Sequence, residues 1–419
     1  MKRHTARTLL AAGGTVTAAA LLLTGCGSGF SGGGTSSSGA GDLTSSKKAL
    51  TVMIGSSGDA ETKAVQDAVA AWSKESGTKA SVVAATDLAQ QLSQGFAAST
   101  PPDVFYLSTD QIAGYASNGS LKAYGDMLKN KDDFYPSLVK NFTVDGKFYC
   151  APKDFSTLQL IINTDLWTKA GLTDADIPTT WDQLASVAKK LTTGTTKGLV
   201  FGGEYARIGA FMAQAGGRLV SADGKKAEAN SDANVEALTY VQQHLKDGTF
   251  AYAKDVGAGW GGEAFGKQLG AMTIEGNWIT GGLQSDFPNV KYKVAELPAG
   301  PKGKGTLQFT NCWGMAADSP NQKAALDLIE YLTTAKQQLA LSKAFGPMPS
   351  AQSAADTWKS DNSALVPFLT GADYAQGVPT TKGSADVVTD FNSQLEGLKT
   401  GDPKAILESV QSNLEAIVK

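Results

Sequence analysis

Two histidines, three cysteines and forty acidic side chains are the groups with which this 419-residue chain could do bond-making chemistry. His4 falls in a basic leader, and His244 sits within an amphipathic helical pattern whose apolar face carries Val235, Leu238, Val241 and Leu245. A lone histidine and the widely separated Cys150 and Cys312 make a zinc site hard to build. A Ser-His-Asp triad would have to use His244, and no GxSxG turn is present. GxxxxGK[ST] does not occur, and no metal and no cofactor is expected. A glycosidase carboxylate pair comes from distant segments and leaves no local signature. Catalysis therefore has no positive support. What remains is a set of polar and aromatic groups at the starts of helices, suited to holding a ligand.

The elements that must position them follow an α/β order. Strand 50–54 (LTVMI) leads through Gly55–Asp59 into a helix, which leaves Ser57 and Glu61 beside unpaired backbone N–H groups. Simple capping of that helix accounts for them equally well. The third strand, 103–107, ends at Asp110; ligands of parallel sheets sit beyond such strand ends, although capping again competes. Glu204 and Tyr205 follow a Gly pair at another helix start. Trp260 stands among Gly259, Gly261 and Gly262, where it reads as either a binding platform or core. The helix opened by Thr180 and Gln183 has capping-box spacing. Gly146 to Trp167 reads as strand, break at Pro152, polar bend at Lys153–Asp154, then a second apolar strand, as expected where a chain passes between domains.

Composition bounds the class. Apolar residues make up 42% and charged residues 18%, ordinary for a globular protein long enough for two domains. Removing residues 1–25 takes away Lys2, Arg3 and Arg7, leaving 34 basic against 40 acidic residues and no electrostatic reason to expect nucleic acid. Those residues carry a positive start, an apolar stretch from Leu9 to Leu23 too short and broken to span a membrane, and the end Leu23-Thr24-Gly25-Cys26. This resembles a bacterial lipobox, which implies cleavage before Cys26 and its lipidation; an ordinary signal peptide with a chance cysteine is the alternative. Residues 26–46 form a Gly/Ser tether. Outside the cytoplasm Cys150 and Cys312 are the remaining pair, expected as a disulfide, or else as two buried thiols.

KFYCAPKDFSTLQLIINTDLW, TTWDQL, LGAMTIEGNW and NCWGMAADSPNQKAALDLIEYL follow one another in this order. With the lipobox they resemble the extracellular solute-binding proteins of ABC importers, most closely the carbohydrate-binding, maltose-binding-protein-like group. The resemblance covers essentially the whole chain after residue 25. It implies an α/β fold of two lobes, periplasmic-binding-protein-like (type II), with three hinge crossings and a ligand cleft between the lobes. Carried over, the crossings fall near Pro152–Phe155, Ala271–Ile274 and Asn311–Gly314. The lobes are then 47–152 plus 275–311, and 155–271 plus 314–419.

The resemblance makes Trp278 the aromatic that stacks on a sugar ring, and by position adds Asp154, Phe155 and Tyr374 to Ser57, Glu61, Asp110, Glu204 and Tyr205. Leu107, Gln111 and the segment near Gly383 depart from the maltose-binding pattern, for which Trp260 and Trp313 stand as compensating aromatics. The implied function is that of a monomeric, non-enzymatic receptor. It is exported and held to the outer face of the cytoplasmic membrane by the lipid on Cys26. It captures a mono- or oligosaccharide for the transmembrane subunits of an ABC permease. A non-sugar solute in the same fold, a surface glycan hydrolase, and a structural envelope lipoprotein are the competing readings.

Overall fold

A computed structural model describes residues 43–418. The leader, Cys26 and most of the expected tether lie outside them. The strands, in chain order, are β1 (Leu50–Ile54), β2 (Ala80–Ala84), β3 (Val104–Ser108), β4 (Thr143–Val144), β5 (Lys147–Phe148), β6 (Ala151–Thr157) and β7 (Gln159–Asn163). There follow β8 (Lys197–Phe201), β9 (Phe250–Tyr252), β10 (Gly270–Glu275), β11 (Tyr292–Ala295), β12 (Thr306–Met315) and β13 (Ala375–Gly377).

Two sheets organise the molecule. In the first, β1 lies between β2 and β3, all parallel; β12 runs antiparallel to β3, and β6 antiparallel to β12. In the second the order is β11-β7-β10-β8-β9, with parallel pairs at β10–β8 and β8–β9. Helices pack on each, because a strand apolar on both faces must be covered on both. Helix Asp59–Ser76 buries Val65, Val69 and Trp72 on the first sheet, and helices Gln322–Leu332 and Ala335–Phe345 add Leu328, Ile329, Leu332 and Leu341. Each such fully buried side chain contributes about 1.5–3 kcal/mol. Helices Trp181–Leu191, Tyr205–Gln214, Asp232–Asp247, Ser384–Leu395 and Pro403–Glu415 cover the second sheet in the same way.

The chain passes between the sheets three times. It crosses at Leu158 between β6 and β7, returns in the stretch 296–305 between β11 and β12, and crosses again between helix Ala335–Phe345 and helix Ser384–Leu395. β6, β12 and β13 run side by side here, with Thr306–Gln308 paired to Ala375–Gly377. This differs from the sequence reading. Ala271–Ile274 is no crossing: all six residues of β10 are buried between β7 and β8. Segment 275–311, expected in the first lobe, places β11 in the second sheet, and 322–345, expected in the second, packs on the first. Apolar periodicity states which face of an element is buried but not against which sheet. Thr44 and Ser46, expected in the tether, dock on the fold: the Thr44 hydroxyl donates to the Ser319 carbonyl at 2.7 Å and the Ser46 N–H to Asn321 Oδ1 at 3.3 Å.

Cys150 and Cys312 are joined as a disulfide with Cα atoms 5.5 Å apart, both buried in the first core. The register of β6 against β12 shifts at Asn311/Cys312, opposite Pro152, which has no N–H to give the ladder. The Tyr124 hydroxyl fills the break, accepting from the Ala151 N–H at 2.8 Å and donating to the Trp313 carbonyl.

Candidate functional site

A cleft of about 280 Å³ opens where the first sheet, the crossing strands and the loop after β10 meet. Its first wall comes from the end of β1 and the start of the next helix. The Ser57 N–H and hydroxyl donate to Glu61 Oε2 at 2.8 and 2.7 Å. Glu61 lies in the first turn of its helix, where backbone N–H groups favour a negative charge. Lys153 enters from β6, its Nζ 3.4 Å from Glu61 Oε1, in contact with Asp154 Oδ2, and 4.3 Å from the centroid of the Tyr106 ring. The Lys153 and Glu61 side chains are only 7% and 4% exposed. Burial opposes the charge on Glu61, but Lys153 and the two Ser57 donors outweigh it and hold the carboxyl below its ordinary range. Burial pushes Asp154 the other way, and Lys153 only partly offsets it. Lys153 stays protonated: burial disfavours its charge, and the two carboxylates more than restore it.

The second wall is the turn after β10. The Asn277 N–H donates to Ser156 Oγ on β6 at 2.8 Å, and Asn277 Nδ2 to the Gly346 carbonyl at 2.7 Å. Trp278 follows, 39% exposed, where most large apolar side chains are buried. Its indole folds over Gly276, where a Cβ would collide with the ring. Nε1 donates to Glu275 Oε2 at 2.9 Å, and Phe309 meets the ring edge-on at a centroid distance of 5.6 Å. Arg207 ties the carboxylates behind it, reaching Glu275 at 2.6 Å and Glu204 at 3.2 Å, with its guanidinium 5.5 Å from the Trp278 centroid. The arrangement is a fixed aromatic plate facing a wall of hydrogen-bonding carboxylates, suited to a solute with one apolar face and a polar rim.

Five of the expected site residues meet in this cleft: Ser57, Glu61, Asp154, Phe155 and Trp278. Glu204 stands behind Trp278 through Arg207. The others lie elsewhere. Trp313 is 1% exposed and packs edge-on to Tyr106 in the first core, because β12 is sandwiched there between β3 and β6. Tyr205 is buried against Phe391 and lines a separate cavity with Arg218 and Val378. Trp260 closes over Gly262 and packs with the buried cluster around Phe265. Tyr374 donates to Glu296 at 3.0 Å beside the crossing strands. Asp110 is exposed after β3, outside the lining of the cleft. A wider groove of about 720 Å³ between helices Asp59–Ser76 and Ala335–Phe345 carries no exposed aromatic. Sequence reasoning missed Lys153, Asn277, Phe309 and Asn311 as cleft residues. The signal for Lys153 was a charged pair, Lys153–Asp154, inside an otherwise apolar run.

Two α/β lobes joined by three side-by-side crossings over a polar and aromatic cleft define a two-lobed, periplasmic-binding-protein-like solute receptor architecture. The model for bacterial extracellular solute-binding proteins matches residues 56–339, and the chain belongs to that family. It is 24% identical over 371 residues to the galactooligosaccharide-binding protein of Bacillus subtilis, covering 85% of this chain and 86% of that one. It is 26% identical over 367 residues to the sn-glycerol-3-phosphate-binding periplasmic protein of Agrobacterium fabrum, covering 77% and 81%. The fold matches the cyclic alpha-maltosyl-1,6-maltose binding protein of Arthrobacter globiformis with a TM-score of 0.78 at 23% identity, over 89% of this chain and 99% of that one. Among the described residues no helix is long and apolar enough to cross a membrane, and no cluster of three or more His, Cys, Asp or Glu could hold a metal.

Proposed function

We propose that this chain is a sugar receptor of an ABC importer: it encloses a mono- or oligosaccharide between its lobes and presents the closed form to the permease. The observation that carries this reading is Trp278, an exposed indole immobilised by Gly276, Glu275 and Phe309 opposite Ser57, Glu61 and Asp154. The C–H face of a pyranose stacks on such a plate while its rim hydroxyls donate to the carboxylates. The sugar-named relatives support the same class. Closure is a hinge motion driven by contacts made only when both walls touch the ligand. The protein is held at the membrane by a lipid on Cys26, acts as a monomer and releases its ligand unchanged.

A thermal-shift panel of neutral mono- and disaccharides tests the reading. A ligand at a hundredfold its Kd stabilises by about 2.7 kcal/mol, and one sugar class should raise the melting temperature accordingly. No shift and no heat of binding across the panel would overturn it. The Agrobacterium relative favours a second reading, a small organophosphate in the same cleft.

A further inference from the structure

The two walls share a charge pattern that bears on which solutes can enter. On the first, Lys153 is held between Glu61 and Asp154; on the second, Arg207 is held between Glu204 and Glu275. Each wall therefore presents one cation already occupied by two carboxylates. Lys153 is the one cation among the residues lining the cleft, and its ammonium is enclosed by both acids and the Tyr106 ring. Arg207 gives both terminal nitrogens to carboxylates, and its Nε is buried without a partner, turned away from solvent. The surplus charge is negative on both sides. Asp154, in the lining of the cleft, keeps 14% of its side chain exposed, so it is carboxylate oxygen that the solute meets there.

We propose that the cleft selects uncharged sugars and rejects phosphorylated or acidic ones, with Asp154 as the residue that enforces the choice. This rests on the sugar-receptor reading. A site for phosphate offers unpaired Arg or Lys, or free backbone N–H groups, to the anion. Here both cations are spent inside the protein, and the Ser57 N–H at the helix start is taken by Glu61. An anion entering between the walls would face like charge in a partly desolvated space, where such repulsion is poorly screened. A neutral hydroxyl meets the same oxygens as acceptors. Specificity here is the building of a penalty against the wrong solute as much as a fit to the right one.

Calorimetry on the full-length chain tests this with maltose, lactose, cellobiose and sucrose, the 6-phosphate of each, and sn-glycerol 3-phosphate. The expected result is binding of at least one neutral disaccharide, with its phosphate at least thirtyfold weaker and no heat from glycerol 3-phosphate. A smaller gap between a sugar and its phosphate overturns the inference and leaves the sugar-receptor reading standing. Binding of glycerol 3-phosphate with no response to any sugar overturns both, as does silence from every probe. Asp154→Asn, at a partly exposed position in the cleft lining, supplies the second arm. It should narrow the ratio between neutral and phosphorylated ligand at least threefold, and an unchanged ratio removes Asp154 from the selection.

Discussion

The two walls of the cleft are built from the same charges and do different work. On the first, Lys153 and Glu61 are buried and Asp154 is partly exposed in the join between a helix start and a crossing strand, with no aromatic exposed beside them. On the second, the Arg207–Glu275 pair is equally buried, yet its role is to brace Trp278, which stays open. The difference teaches that a buried ion pair near a site can be part of the contact surface or part of its scaffold. Only the exposure of the neighbouring side chain distinguishes the two. The same contrast separates the tryptophans: Trp313, 1% exposed on a central strand, is core, and Trp278, at the end of one, is a plate.

This contrast can be broken by substitution. The largest effects fall on folding. Lys153→Met leaves Glu61 and Asp154 uncompensated and should cost about 3–5 kcal/mol in urea unfolding. Trp313→Ala should cost a similar 3–5 kcal/mol or so; a loss under 1 kcal/mol would contradict its place in the first core. Removing the Cys150–Cys312 bridge with a double Ser variant frees a connection 162 residues long and should lose about 2–5 kcal/mol, read as a lower melting temperature. Trp278→Ala reverses the pattern. It should change stability little but weaken sugar binding by about 2 kcal/mol or more, measured by calorimetry; a variant that binds normally would remove the plate from the site.

The smallest effect is in pH. Glu61 has its carboxyl held below the ordinary value of 4.5 in the folded chain, by Lys153 and Ser57 against the pull of burial. The stability this gives is fully present above pH 4.5 and is lost as pH falls through the lowered folded value. The stability gap between the native protein and Glu61→Gln should therefore narrow below pH 4.5. Asp154, raised by burial, acts in the opposite sense, gaining native stability as it is protonated. A gap that widens in acid would mean that Glu61 is not paired as described.

Much of this was legible in advance. Strand and helix positions followed from apolar runs and turn residues, as in LTVMI for β1 and the Thr180 start of helix Trp181–Leu191. Cys150 and Cys312, as the pair left after export, were read as a bridge and are joined. Trp278 came from the motif GAMTIEGNW and lies exposed in the cleft. What was not legible depended on partners distant in sequence. Lys153 is a cleft residue because Glu61, 92 positions away, reaches it. Helices Gln322–Leu332 and Ala335–Phe345 return to the first sheet because their apolar faces fit there, a choice their own periodicity does not encode.

The sequence by itself determined the element types, the polar and aromatic inventory, and the lack of catalytic or metal-binding patterns. These depend on local propensity and residue chemistry, which act over a few positions. The tertiary structure alone decided where the chain crosses between lobes, which tryptophan is plate and which is core, and that both cations are spent on internal carboxylates. Each of those is a matter of which surfaces lose water together, and that is settled only when segments far apart in the chain meet.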